Sequence, residues 1–217
     1  MSRGDEPQGG LARVSRRVRH AALVLSIRVH SLVFTDEPEF SSHAAVEDIE
    51  AMLAEVNRLW RCSGIRWRLL ARAEQFIATQ EAGRVGAISR KRDLRRFFGR
   101  IAPTQPFALR RRVWNVCLLN RFPIRSTGVY VPEAQTVFCA ESTRFGSPNG
   151  VILAHELGHM LGLQHVQEEG NLMHRDSLRD LHATLDAASG WARQPLTEQQ
   201  IARVRRQALR GPVERFD

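Results

Sequence analysis

The sequence predicts an α/β (α+β) fold, a mixed sheet of about five strands packed with three main helices. Three observations lead there. The chain opens with a strand–helix–strand pattern, three further strand-like apolar runs follow, and a strongly apolar segment of helical length, Val151 to Leu163, comes after them.

Ala21 to Phe34, rich in Leu, Val and Ile, fits a long first strand. Asp36 and Pro38 break it, and Ser41 or Ser42 is placed to cap a helix. In that helix Val46, Ile49, Leu53, Val56 and Trp60 recur at three- and four-residue spacing, which makes one apolar face. Ser63-Gly64 ends it, and Ile65 to Leu70 begins a second strand; a crossover of this length suits a parallel pair. Ser89 can cap a short helix whose Leu94, Phe97, Phe98 and Ile101 form a clean stripe. Val113 to Leu119, Gly128 to Val131 and Thr136 to Ala140 read as three more strands, with Pro132 to Gln135 joining the last two. Ser147-Pro148-Asn149 is a start signal for the apolar helix. Near the end Thr197 and Gln200 form a capping box, with Leu196 and Ile201 as its staple, and Gly211-Pro212 stops that last helix.

The chemistry is concentrated in His155-Glu156-Leu157-Gly158-His159-Met160-Leu161-Gly162-Leu163-Gln164-His165. Residues four apart on a helix share a face, so His155 and His159 can point at one metal ion, and Glu156 beside them can reach a metal-bound water. Gly162 falls where a left-handed residue would end the helix and swing His165 back towards the other two. Three neutral histidines leave a fourth position of a zinc ion open, the arrangement of a catalytic site.

The spacing H-E-x-x-H-x-x-G-x-x-H, followed by Asn171-Leu172-Met173 as a Met-turn, resembles the metzincin clan of zinc metallopeptidases, in particular bacterial reprolysin- or matrixin-like members. The words Val56-Asn57-Arg58-Leu59-Trp60 and Gly64-Ile65-Arg66-Trp67 are similar to the corresponding stretch of bacterial metzincins. The resemblance implies a metzincin-type mixed sheet with an active-site helix, a backing helix and a C-terminal helix. It implies one catalytic Zn2+ held by His155, His159 and His165, with Glu156 as general base and later general acid, and Met173 as the floor of the site. It also implies that Gly128, Val129, Tyr130 and Val131 form the antiparallel edge strand above the cleft, able to hold an extended peptide by strand addition. A zinc-dependent endopeptidase acting on peptide or protein substrates is therefore expected, and a peptide-binding module on an inactive or regulated scaffold is the alternative.

Some clan features are missing. His174 follows Met173 where astacin-like and serralysin-like members carry a tyrosine, and Tyr130 is the only tyrosine in the chain. The extra cysteine ligands of archaemetzincins are absent, and no Asp-rich loop announces structural Ca2+. His174 and His182 read as loop histidines, and His20, His30 and His43 lie outside any ligand spacing.

Composition sets the outer limits. The chain has 217 residues and a formal net charge of +9, with Lys91 its single lysine. Residues 1–18 read as a flexible basic tail, and 19–212 as a single catalytic domain with a basic insert at about 71–112. Between Arg84 and Arg112 stand ten basic residues and one acid, Asp93. Such a run is either a solvated helix face or a patch that attracts acidic substrates or an anionic surface. It contains no recognised nucleic-acid motif and no interleaved aromatics, so no nucleic acid is expected. Cys62, Cys117 and Cys139 are too few for a disulfide framework, and the last two sit in apolar runs as buried thiols. No run is long enough for a membrane span, Ser15-Arg16-Arg17 and Ala21 to Ile27 are read as the approach to the first strand rather than a leader, and a monomer is expected.

Overall fold

The computed structural model describes residues 22–103, 113–142, 149–174 and 195–212. The tail at 1–18, Ser147, Pro148, Arg110 to Arg112, His182 and most of the segment between the Met-turn and the last helix lie outside the described residues.

The strands are β1 (Leu23–Phe34), β2 (Ile65–Ile77), β3 (Val113–Leu119), β4 (Gly128–Val131) and β5 (Thr136–Ala140). They form one five-stranded sheet in the order β2-β1-β3-β5-β4. The first four in that order run parallel, and β4 is the antiparallel edge, with Gly128 opposite Cys139 and Val131 opposite Thr136. The mixed sheet expected from the sequence is present. Every residue of β3 and β5 is buried, which is why those strands read as continuous apolar runs rather than alternating ones.

The helices are α1 (Val46–Trp60), α2 (Lys91–Ile101), α3 (Gly150–Met160) and α4 (Glu198–Ala208), with one further helical turn at Thr79–Ala82. On one sheet face Leu25, Ile27, Val29, Val116 and Val137 pack against Ile49, Leu53 and Val56 of α1 and Leu153 and Leu157 of α3. Trp67 stands edge-on to both Trp60 and Trp114, with ring centroids 6.1 and 5.5 Å away. On the other face Leu32, Phe34, Cys117, Val129, Val131 and Phe138 receive the stripe Leu94, Phe97, Phe98 and Ile101 of α2. Phe98 lies flat on Phe138, 4.1 Å between centroids and 9° between planes. The sheet thus holds α3 on one face and α2 on the other.

Local signals are met in part. Thr197 accepts from the Gln200 backbone N–H at 3.2 Å, and the Gln200 side chain accepts from the Thr197 N–H at 2.8 Å, so the last helix has the expected capping box. Helix α1 begins later than Ser41 or Ser42 suggest. Its opening N–H, on Ala45, is taken by Asp48 at 2.8 Å, while the Ser42 hydroxyl donates to Glu141 at 2.6 Å. Glu141 also accepts from the His43 and Ala44 N–H groups, and a half-buried carboxylate with several donors outcompetes a lone hydroxyl. Helix α2 has Arg90 rather than Ser89 at its N-cap and no side-chain cap. Strand β2 extends to Ile77, well past Leu70, because it stays paired with β1 through a register shift at Ile27/Arg28 that breaks the alternation.

Candidate metal centre

Helix α3 presents His155 and His159 one turn apart and ends at Met160. The Leu163 N–H reaches back to the Gly158 carbonyl at 2.9 Å and Gly162 takes a φ of 81°, which reverses the chain as its glycine predicts. That reversal brings His165 to the other two. Its Nε2 lies 3.2 Å from the Nε2 of His155 and 3.2 Å from that of His159.

The far side of each helical imidazole is anchored. His155 Nδ1 donates to the Leu172 carbonyl at 2.7 Å and His159 Nδ1 donates to the Leu163 carbonyl at 2.8 Å. A carbonyl only accepts, so both Nδ1 atoms carry the proton and both Nε2 atoms present a lone pair. Burial lowers the pKa of His155 to about 4, with His165 and Lys91 adding to it and the Leu172 hydrogen bond opposing. Burial, followed by the neighbouring His155, lowers His159 to about 3. Both rings are therefore neutral at ordinary pH, the form a metal requires.

A single proton on His165 Nε2 can serve at most one of the two Nε2 contacts well. Converging lone pairs suit a cation instead. Nitrogens held at zinc distance around a tetrahedral ion are about 3.3 Å apart, close to the 3.2 Å observed. Among the described residues, His155, His159 and His165 are the group of ligating side chains able to hold a metal ion, with their atoms within 4.8 Å of one another. The donor set fits a metal.

Glu156, the next residue on α3, is 8% exposed. Burial pushes its pKa up to about 8, while the positive charges of Lys91 and Arg95 and a hydrogen bond from the Tyr130 backbone pull the other way. Gly128 of β4 packs directly on it. A Cβ at position 128 would stand 2.7 Å from Glu156 Cγ, 2.8 Å from its Oε1 and 2.7 Å from Ile152 Cγ2. Met173 lies under α3, fully buried, where a Cβ on Gly158 would collide with its Sδ.

The Met-turn is held by its own network. The Met173 N–H donates to the Asn171 side chain at 2.9 Å, and Asn171 and Gln200 exchange side-chain amide hydrogen bonds at 3.0 and 3.2 Å. The Leu172 N–H donates to the Pro195 carbonyl at 2.8 Å. Thus the capping glutamine of α4 also braces the turn whose carbonyl orients His155.

The structure brings His155, His159 and His165 together, packs Met173 against Gly158 of the same helix, and sets Gly128, at one end of the edge strand Gly128 to Val131, against Glu156. His174 pairs with Val166 in an isolated bridge, and His30 and His43 lie apart from the triad. The Leu163 and Leu172 carbonyls and the bracing Gln200 were not expected. The two carbonyls carry no side-chain signal, whereas Gln200 was visible only as a cap.

Residues 120–187 match the Matrixin family. The Matrixin match spans β4, β5, α3, the three histidines and the Met-turn, and it bears out the metzincin resemblance read from the sequence. No curated protein matches the chain in sequence. Among solved structures, mature mirolysin of Tannerella forsythia in complex with a cleaved peptide is 15% identical, with a TM-score of 0.46, over 68% of this chain and 66% of that one. This chain thus spans just under two thirds of that mirolysin chain. Archaemetzincin from Methanopyrus kandleri is 13% identical, with a TM-score of 0.41, over 87% of this chain and 97% of that one. No helix among the described residues is long and apolar enough to cross a membrane.

Proposed function

We propose that this chain is a zinc-dependent metalloendopeptidase, with residues 19–212 as one catalytic domain. The observation that supports it most directly is the convergence of three imidazole Nε2 atoms beside the buried carboxylate of Glu156.

His155, His159 and His165 would hold the ion, the first two in tautomers set by the Leu172 and Leu163 carbonyls. When bound, zinc supplies Lewis acidity, acidifying a water and polarising a carbonyl. Glu156 accepts the proton of the attacking water and returns it to the leaving amine. Met173 fills the space beneath α3 and keeps the histidine-bearing turn from sinking into the core. Strand β4, the antiparallel edge of the sheet among the described residues, would receive an extended peptide, and its Gly128 end adjoins Glu156. Backbone pairing of that kind holds a substrate without reading most of its side chains.

The test is metal analysis of the purified chain together with cleavage of unfolded casein. About one zinc per chain is expected, with cleavage abolished by a chelator and restored by zinc. Cleavage indifferent to the chelator, or an intact triad that takes up no zinc, would overturn this reading.

A further inference from the structure

The basic helix α2 lies beside the edge strand, not away from it. Its Lys91, Arg92, Arg95 and Arg96 line a cleft of about 670 Å3 together with Val131 and Glu133, at the far end of β4. The apolar stripe of α2 is buried on the sheet, so helical periodicity turns the four cations to a common side.

Charges on an ordinary solvated face project into water or pair locally. Arg100, on the same helix, is committed to the Ala82 carbonyl at 2.8 Å. Arg92 is only loosely paired, 4.0 Å from Asp93. Among the described residues, Lys91, Arg95 and Arg96 have no hydrogen-bonded or ion-paired partner, and Glu133 is the one acid lining the cleft. Four cations facing one carboxylate in a concavity leave an excess of positive charge to be met by a ligand.

The position identifies the ligand. The Gly128 end of β4 touches Glu156, and Val131 lies three residues further along the strand, about 10 Å away. A peptide added to β4 in the antiparallel sense, the more stable pairing, runs from the Val131 end towards Gly128. Its N-terminal part then passes the cations before its backbone reaches the metal centre.

Resting on the peptidase reading above, we infer that the cleft between α2 and the Val131 end of β4 is a substrate subsite for acidic side chains, about three to five residues N-terminal to the scissile bond. The ligand is an aspartate- or glutamate-bearing peptide. The arginines serve as specificity determinants.

A tryptic peptide library digested by the zinc-loaded full chain tests this. Acidic residues are expected to be enriched at those positions. In a synthetic peptide built from the best site, Glu→Gln changes there should lower kcat/KM about tenfold at low ionic strength and much less at 0.5 M NaCl. The variant R92Q/R95Q/R96Q should lose the discrimination between the two peptides, and R92E/R95E/R96E should invert it towards a Lys-bearing peptide, a gain that misfolding cannot produce. In parallel, fluorescence anisotropy of the labelled Glu and Gln peptides on the E156Q variant reads binding without cleavage. Cleavage with no acidic preference, or a preference that survives R92Q/R95Q/R96Q, overturns the inference. A chain that cuts nothing but still binds the Glu peptide through these arginines overturns the peptidase reading and leaves the subsite standing. Binding of an oligonucleotide or of phosphatidylserine vesicles through the same arginines, without acidic-peptide preference, overturns the subsite.

Discussion

Met173 occupies the space that a side chain on Gly158 would need: a Cβ there would collide with the Met173 Sδ and stand 3.2 Å from its Cε. Gly158 immediately precedes His159, so the methionine is packed against the backbone that carries the triad. The glycine inside the histidine motif and the methionine of the following turn are one steric unit.

Gly158→Ala is therefore expected to push Met173 aside. Overpacking of this kind costs about 1–3 kcal/mol. The displaced turn carries the Leu172 carbonyl, so zinc affinity should fall as well. Urea denaturation and competition against a chromophoric chelator measure the two effects, and unchanged values in both would refute the steric coupling.

Asn171→Ala removes the side chain that accepts from the Met173 N–H and is bonded to Gln200. Losing an outer partner that orients a ligand costs about ten- to a hundredfold in metal affinity. The expectation is weaker zinc binding with all three histidines intact. Gln200→Ala should move affinity in the same direction by a smaller amount. A structural role alone would lower stability and leave the affinity of the folded protein as it was.

Glu156→Gln should retain the metal and lose cleavage, by about 10²–10⁴-fold, the range for removing a positioned general acid–base. The substitution preserves shape against Gly128, which a larger change would disturb. Zinc content and casein cleavage read the outcome, and a fully active E156Q enzyme would sink the assignment.

Buried thiols give a pH prediction. Burial raises Cys62, Cys117 and Cys139 above the ordinary value of 9.0, and the charge of Glu156 adds to the effect at Cys139. A folded-state pKa above the unfolded one means that unfolding releases protons once the pH passes that value. The contribution of the thiols is complete below pH 9 and is lost progressively above it. Each fully buried thiol should add a slope of about 1.4 kcal/mol per pH unit. Denaturant titrations between pH 8 and 10.5 should show this decline, and Cys117→Ala with Cys139→Ala should flatten it.

Much of the molecule is legible in its order of residues, because the signals are local. The three histidines and the Gly162 reversal follow from helical periodicity and one left-handed glycine. The Thr197–Gln200 box and the exact limits of β3, β4 and β5 are likewise short-range features. What eluded local reading is long-range. Ser42 serves Glu141, 99 residues away, rather than α1, and β2 runs on to Ile77 because β1 keeps it paired. The sequence by itself determined which side chains could hold a metal. Only the tertiary structure decided that the Leu172 carbonyl, 17 residues from His155, fixes that ring, and that α2 brings its cations to the Val131 end of β4. Both depend on how apolar faces pack across a sheet ordered β2-β1-β3-β5-β4, and packing partners distant in the chain leave no periodic mark within it.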